Sequence, residues 1–155
     1  MIQRTCIILI IAIVFISCNK NKVFEKHHKF NNNTWAKTEN ITFKTTIENI
    51  DRTYDILIAV RHMSGYPFAN VVIGLTIETP VGEKRMMQHD LIIRNTDNSF
   101  KGDGLGDIWD VEVAVFKKFQ FKNTGMYKFI IENRMHLAEM PGIMAIGLVI
   151  KKSTD

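Results

Sequence analysis

Apolar and polar residues alternate with a period of two through most of the chain beyond residue 40. Ile41, Phe43, Thr45 and Ile47 share one face of a short segment, and Ile56, Ile58 and Val60 share one face of the next. Val71, Ile73, Leu75 and Ile77 repeat the pattern, and Leu91 to Arg94 is a shorter run. Trp109, Val111, Val113 and Val115 alternate against Asp110, Glu112, Ala114 and Phe116. Tyr127, Phe129 and Ile131 follow, and Ala145 to Ile150 is a final apolar stretch broken by Gly147. Alternation of this kind, rich in β-branched and aromatic residues, predicts strands. Turn signals separate the runs: Gly65-Tyr66-Pro67, Pro80-Val81-Gly82, Gly102 to Gly106, Asn123-Thr124-Gly125 and Pro141-Gly142. No long stretch carries a 3.6-residue period, and His136 to Met140 offers one helical turn at most. About seven or eight short strands with regular turns predict an all-β fold, a single antiparallel β-sandwich. Jelly-roll-like and immunoglobulin-like connectivities both fit this pattern.

The first residues follow a different logic. Arg4 precedes an unbroken apolar run from Cys6 to Ile16, which Ser17 and Cys18 close before the chain turns polar at Asn19. That run has the length of a signal-peptide core and is too short to cross a hydrocarbon layer of about 30 Å. A small residue directly before a cysteine is the layout of a lipoprotein signal, with Cys18 as the lipidated residue. The expected organisation is a signal peptide over 1–17, removed on export, a lipidated Cys18 with a flexible tether over 18–34, and a β-sandwich domain over 35–155. The tether reading rests on the polar run through Lys20, Lys22, Lys26, His27, His28 and Asn31-Asn32-Asn33. Asn19 is not the Asp of an inner-membrane retention signal, and no acidic cluster follows Cys18 as in surface-exported lipoproteins. By that analogy the protein faces the periplasm from the outer membrane.

Composition narrows the rest. Cys6 leaves with the signal, so Cys18 is the remaining cysteine of two and no internal disulfide forms. The formal charge of +4 is spread along the chain, without the clustered stripe of a nucleic-acid footprint.

Candidate chemistry concentrates in Gly102-Asp103-Gly104-Leu105-Gly106-Asp107-Ile108-Trp109-Asp110. Three glycines permit an unusual backbone, and Asp103, Asp107 and Asp110 carry hard oxygen ligands of the kind calcium prefers. Their spacing does not match an EF-hand loop, and a glycine-built turn capped by its own Asp side chains is the plainer reading. No metal site or cofactor is expected. His62, His89 and His136 lack zinc spacing. Ser64, Ser99 and Ser153 lack the context of a nucleophile elbow, so no catalytic residue is expected. Tyr66, Phe68, Phe100 and Trp109 lie in or beside turns, where aromatics serve as interface anchors, as sugar platforms or as the closed ends of a core. The Met86-Met87 pair and Met135, Met140 and Met144 are expected to fill core gaps.

At these residues the chain resembles the gliding-motility lipoprotein GldH family of the Bacteroidota. Tyr66-Pro67-Phe68-Ala69-Asn70-Val71 is similar to the family's Tyr-Pro-aromatic-x-Asn-aliphatic element. Gly102 to Asp110 is similar to its Gly-rich loop. Gly125-Met126-Tyr127, Met135-His136 and Gly142-Ile143 are similar to its closing segment, with His136 standing where the family has Arg. Phe100-Lys101 also departs from the family's Trp-aliphatic pair. The resemblance implies a non-catalytic outer-membrane lipoprotein that binds or scaffolds other envelope proteins of the gliding machinery linked to type nine secretion. Its partners are then the membrane, through Cys18, and those proteins, with no nucleic acid. The candidate contact surface is Tyr66, Phe68, Asn70, Asp103, Asp107, Trp109 and Asp110. A carbohydrate-binding module for peptidoglycan or glycan is the alternative, and a small envelope hydrolase using Asp107 and Asp110 is a third reading.

Overall fold

The computed structural model describes residues 21–154. Eleven strands follow in chain order: β1 (Lys22–Lys29), β2 (Thr34–Ala36), β3 (Ile41–Ile47), β4 (Tyr54–Met63), β5 (Asn70–Glu78), β6 (Lys84–Ile92), β7 (Asp103–Leu105), β8 (Ile108–Phe119), β9 (Gly125–Asn133), β10 (Glu139–Pro141) and β11 (Ile143–Lys152). One sheet has the order β1-β11-β4-β8-β7 and the other the order β3-β9-β5-β6, while β2 and β10 form a small ribbon. The strand pairs in all three are antiparallel. The long strands pass repeatedly from one sheet to the other, which makes a jelly roll rather than an immunoglobulin order.

The alternation read from the sequence is the packing rule of the sandwich. Ile41 and Phe43 of β3 pair across from Ile131 and Phe129 of β9, and Leu75 and Ile77 of β5 pair with the same two residues from the other side. All six side chains are buried, facing Ile56, Ile58, Ile146 and Leu148 of the opposite sheet in one core. Side chains of one parity therefore leave water together, and a slip by one residue would expose them all. Trp35 of the small ribbon is also fully buried. Its indole stacks on Phe30 with ring centroids 5.3 Å apart and donates to the Glu39 carbonyl at 2.9 Å.

Two segments depart from the expected layout. Lys22–Lys29 is not a flexible tether but an edge strand, with Phe24 opposite Ile150 and His28 opposite Ile146. Backbone pairing to β11 supplies its order, and Gly147 leaves room for His27, whose Nδ1 would lie 2.4 Å from a Cβ there. The Asn31–Asn33 run is a single 3₁₀ turn in which Asn32 and Asn33 adopt positive φ, a conformation asparagine tolerates. The domain therefore begins near Lys22 rather than Trp35. His136 to Met140 forms no helical turn: Glu139 and Met140 pair with Ala36 and Trp35. Residues 1–20, with Cys18 and the expected signal peptide, lie outside the described residues.

Strand direction sorts the loops into two poles. β1 starts beside the end of β11, where Lys22 pairs with Lys151. Loops 48–53, 79–83 and 120–124 and residues 153–154 share that end, here called the proximal pole. Loops 64–69, 93–102 and 134–138, with the β7–β8 hairpin, form the distal pole.

Candidate functional site

The distal pole gathers most of the residues singled out in the sequence. Its centre is the β7–β8 hairpin. Leu105 pairs with Ile108, so Gly106 and Asp107 form a two-residue turn. Gly106 has φ +60 while Asp107 stays outside the left-handed region, the pattern of a type II′ turn. Gly102 has φ +84, and a Cβ there would lie 2.0 Å from the Asp110 carbonyl oxygen. A Cβ on Gly104 would meet the Trp109 indole at 2.8 Å. Two of the three glycines are thus required by close approach, and the third by the turn.

The aspartates are tied into this architecture unequally. Asp110 accepts two hydrogen bonds from Arg61, at 2.8 and 2.9 Å, across a directly paired position. Those hydrogen bonds hold its carboxyl below the usual carboxylate range. Asp107 accepts from the Ser64 hydroxyl at 3.1 Å, and its carbonyl accepts the Ser64 amide at 2.8 Å, which clips the hairpin to the neighbouring loop. Asp103 is exposed at the hairpin edge. Among the described residues no three His, Cys, Asp or Glu side chains converge as a metal cage.

The aromatic residues form a continuous string behind the hairpin. Trp109 meets Phe100 at 5.1 Å, Phe100 meets His62 at 4.8 Å, His62 meets Tyr66 at 5.9 Å, Tyr66 meets Phe68 at 5.6 Å, and Phe68 meets His136 at 5.6 Å. The Arg94 guanidinium lies 3.8 Å from the Phe100 ring centroid and donates to the Tyr66 carbonyl at 2.9 Å. A cation held over a ring and bonded to two loops, the second through the Asn98 carbonyl, fixes the 93–102 segment against the core.

This geometry divides the expected contact surface. Tyr66 is not available for contact: it is 0% exposed, and its hydroxyl donates to the Asn70 carbonyl at 2.9 Å. Burial pushes that hydroxyl's pKa well above its ordinary value. The Gly65-Tyr66-Pro67 turn points its aromatic ring inward to close the end of the sandwich. Trp109 and Phe68 are half-buried, with part of each ring at the surface. Asn70 is half-buried and donates to Asp90 at 2.6 Å. Asp103, Asp107 and Asp110 are exposed.

Two features escaped the sequence. Leu105, at the hairpin tip, is 86% exposed, the most exposed of the large apolar side chains. Ile108, Leu137 and Met63 add exposed apolar surface at the same pole. The available signal was an apolar residue held between two glycines in a turn. The second is His62, wholly buried, whose Nδ1 bonds the Met63 carbonyl at 3.0 Å while Nε2 has no partner. Burial lowers its pKa. Met135 and Met140 fill the core as expected, but Met86 is 65% exposed on the outer face of β6.

Fold and site together define a jelly-roll domain that displays a braced, partly apolar loop cluster at one pole. The profile of the GldH lipoprotein family matches residues 22–150, and the chain belongs to that family. It is 29% identical over 146 residues to the gliding motility lipoprotein GldH of Flavobacterium johnsoniae, covering 94% of this chain and 90% of that protein. It is 27% identical over 160 residues to a gliding motility lipoprotein GldH homolog of Christiangramia forsetii, covering 96% and 95%. Among solved structures, the VP2 subviral particle of infectious bursal disease virus aligns with a TM-score of 0.38 and 12% identity, over 85% of this chain and 33% of that one.

Proposed function

We propose that this chain is a lipoprotein anchored through Cys18 in the outer membrane, facing the periplasm, and that it serves the gliding machinery linked to type nine secretion as a non-catalytic binding component. One observation carries the reading. β1 begins at the proximal pole, a few residues after Cys18, so an anchored domain presents its distal loops away from the lipid. The exposed apolar tip at Leu105, with Phe68, Trp109 and the acidic rim of Asp103 and Asp107, is then the contact surface for an envelope partner. Family membership and the names of the two relatives support the gliding role. The non-catalytic reading is supported by the serines. Ser64, Ser99 and Ser153 each donate to an aspartate, Asp107, Asp97 and Asp55, which is turn bracing rather than nucleophile activation. The glycan-binding alternative has less behind it, because Gly104 and Phe100 already pack on the Trp109 indole that would serve as a stacking platform.

Affinity purification of the lipidated protein from its native envelope tests the reading, with Cys18→Ala and Leu105→Asp strains alongside. Gliding or secretion components should be recovered with the wild type and lost with both variants. Their recovery undiminished with Leu105→Asp rejects the distal surface, and recovery of peptidoglycan fragments in their place favours the glycan module.

A further inference from the structure

Charge is distributed unevenly between the poles. The proximal end carries Lys22, Arg52, Lys117, Lys118, Lys122 and Lys152. Among the described residues, ion pairs engage Lys22 with Glu25 and the neighbouring Lys151 with Glu112, and none engages Arg52, Lys117, Lys118 or Lys122. These four are exposed. The acidic groups at this end are Glu48, Asp51, Glu83, Asp55 and Glu78, the last paired with Lys84 and Lys128. Asp55 is occupied by the Ser153 hydroxyl and the Lys118 amide, at 2.6 and 2.9 Å. That second bond helps to hold Lys118 at φ +51, a strained conformation for a residue with a side chain, at the irregular end of the β4–β8 pairing. Lys22, Arg52 and Lys152 also line one groove of about 420 Å³ with a single carboxylate, Glu48.

Exposed apolar residues sit among these cations. Val81 at the β5–β6 turn is 65% exposed and Val23 at the start of β1 is 40% exposed. Cations around protruding aliphatic side chains suit the boundary between phosphate headgroups and acyl chains. Position matters as much as composition. Cys18 precedes Asn21 by three residues, which span at most about 11 Å when fully extended.

We propose that the proximal pole is a headgroup-binding face that docks the domain end-on against anionic phospholipid, with Arg52, Lys117, Lys118 and Lys122 contacting phosphates. The proposal rests on the Cys18 anchor only for its biological placement, because the face exists in the domain without the lipid. Docking restricts the short link to Cys18 and fixes the direction in which the distal loops point.

The test uses the chain from residue 18 onward carrying Cys18→Ala, so that no acyl chain contributes. It is co-sedimented with phosphatidylglycerol-containing vesicles and with phosphatidylcholine vesicles, at low and high salt. Binding is expected to the anionic vesicles alone and to fade with salt. One basic residue near an anionic surface is worth about fivefold in binding. The quadruple reversal Arg52→Glu, Lys117→Glu, Lys118→Glu, Lys122→Glu should therefore weaken binding by more than about 100-fold, with the folded circular dichroism spectrum retained. A control with equal charge change elsewhere, Lys26→Glu, Lys29→Glu, Lys37→Glu, Lys101→Glu, should keep most of it. Equal loss in both variants, or no binding of the parent protein to anionic vesicles, overturns the proposal. The anchor is scored separately by fatty-acid labelling of wild type against Cys18→Ala in cells. Absent labelling with intact vesicle binding removes the anchor and leaves the docking face.

Discussion

The two ends of the sandwich solve opposite problems. The distal pole is built from rings and glycines, with Arg94 and Arg61 each committed to a partner. The proximal pole is built from short turns and carries four exposed cations, Arg52, Lys117, Lys118 and Lys122, without carboxylate partners among the described residues. Bracing on one side and uncommitted charge on the other indicate where specificity and where nonspecific attraction belong. Shape held by packing discriminates between partners, whereas exposed lysines respond to any dense negative surface.

Substitutions can break that contrast, beginning with the bracing itself. Tyr66→Ala removes a fully buried ring and leaves a cavity beneath the distal loops, and should cost about 3–5 kcal/mol in denaturant unfolding. Partner loss in that variant therefore reports a failing fold, whereas Phe68→Ala leaves more of the core in place. Gly102→Ala forces a Cβ against the Asp110 carbonyl at positive φ and should cost about 2 kcal/mol. Hydrogen exchange should show β7 amides losing protection while β5 and β9 keep theirs.

His62, wholly buried, and His89, half-buried, sharpen the comparison through pH. Burial lowers the pKa of both His62 and His89. Well above about pH 6.5 both are neutral in folded and unfolded chains alike. As pH falls below that value the unfolded chain takes up protons that the folded chain refuses, so stability declines toward the folded pKa. His62→Phe should flatten the pH dependence of the midpoint below pH 6.5, and an unchanged slope would sink this assignment. The smallest effect is expected at the hairpin tip. Leu105→Asp should leave stability within about 0.5 kcal/mol, since the side chain touches little. Arg61→Ala, at a half-exposed pair, should cost no more than about 1 kcal/mol.

β5 and β9 lie between two neighbours and were legible in their clean alternation. β3 lies at an edge but buries Ile41, Phe43 and Ile47, so it carries the same alternation, and the all-β sandwich followed from these three strands. The edge strands β1 and β6 were obscure because they bury few side chains. In β6 only Leu91 is fully buried, while Arg85 and His89 occupy inward positions near the open side. In β1, Lys26 and His28 break the apolar pattern, which protects an edge and hides a strand. Jelly-roll order depends on partners far apart in sequence, such as β1 with β11, and no local pattern encodes that pairing. Tyr66 was misplaced for a related reason: a turn between Gly65 and Pro67 signals surface, yet the ring follows the strand ends inward. The hairpin's glycines were visible, but the exposure of Leu105 depended on which way the II′ turn projects.

The pairing of β1 with β11 has a mechanical side. The two strands run antiparallel at the edge of the sheet, and β1 leads from the proximal pole toward the distal one. Under the proposed anchoring at Cys18 and seating of a partner on the distal loops, a pull between the two would act along the strand axes. It loads the β1–β11 ladder in shear, so its hydrogen bonds share the force instead of parting one after another. A tether of the kind read from residues 18–34 would have stretched under the same pull. In that proposed arrangement strand β1 is a stiff element between the anchored end and the loops, suited to transmitting tension rather than absorbing it.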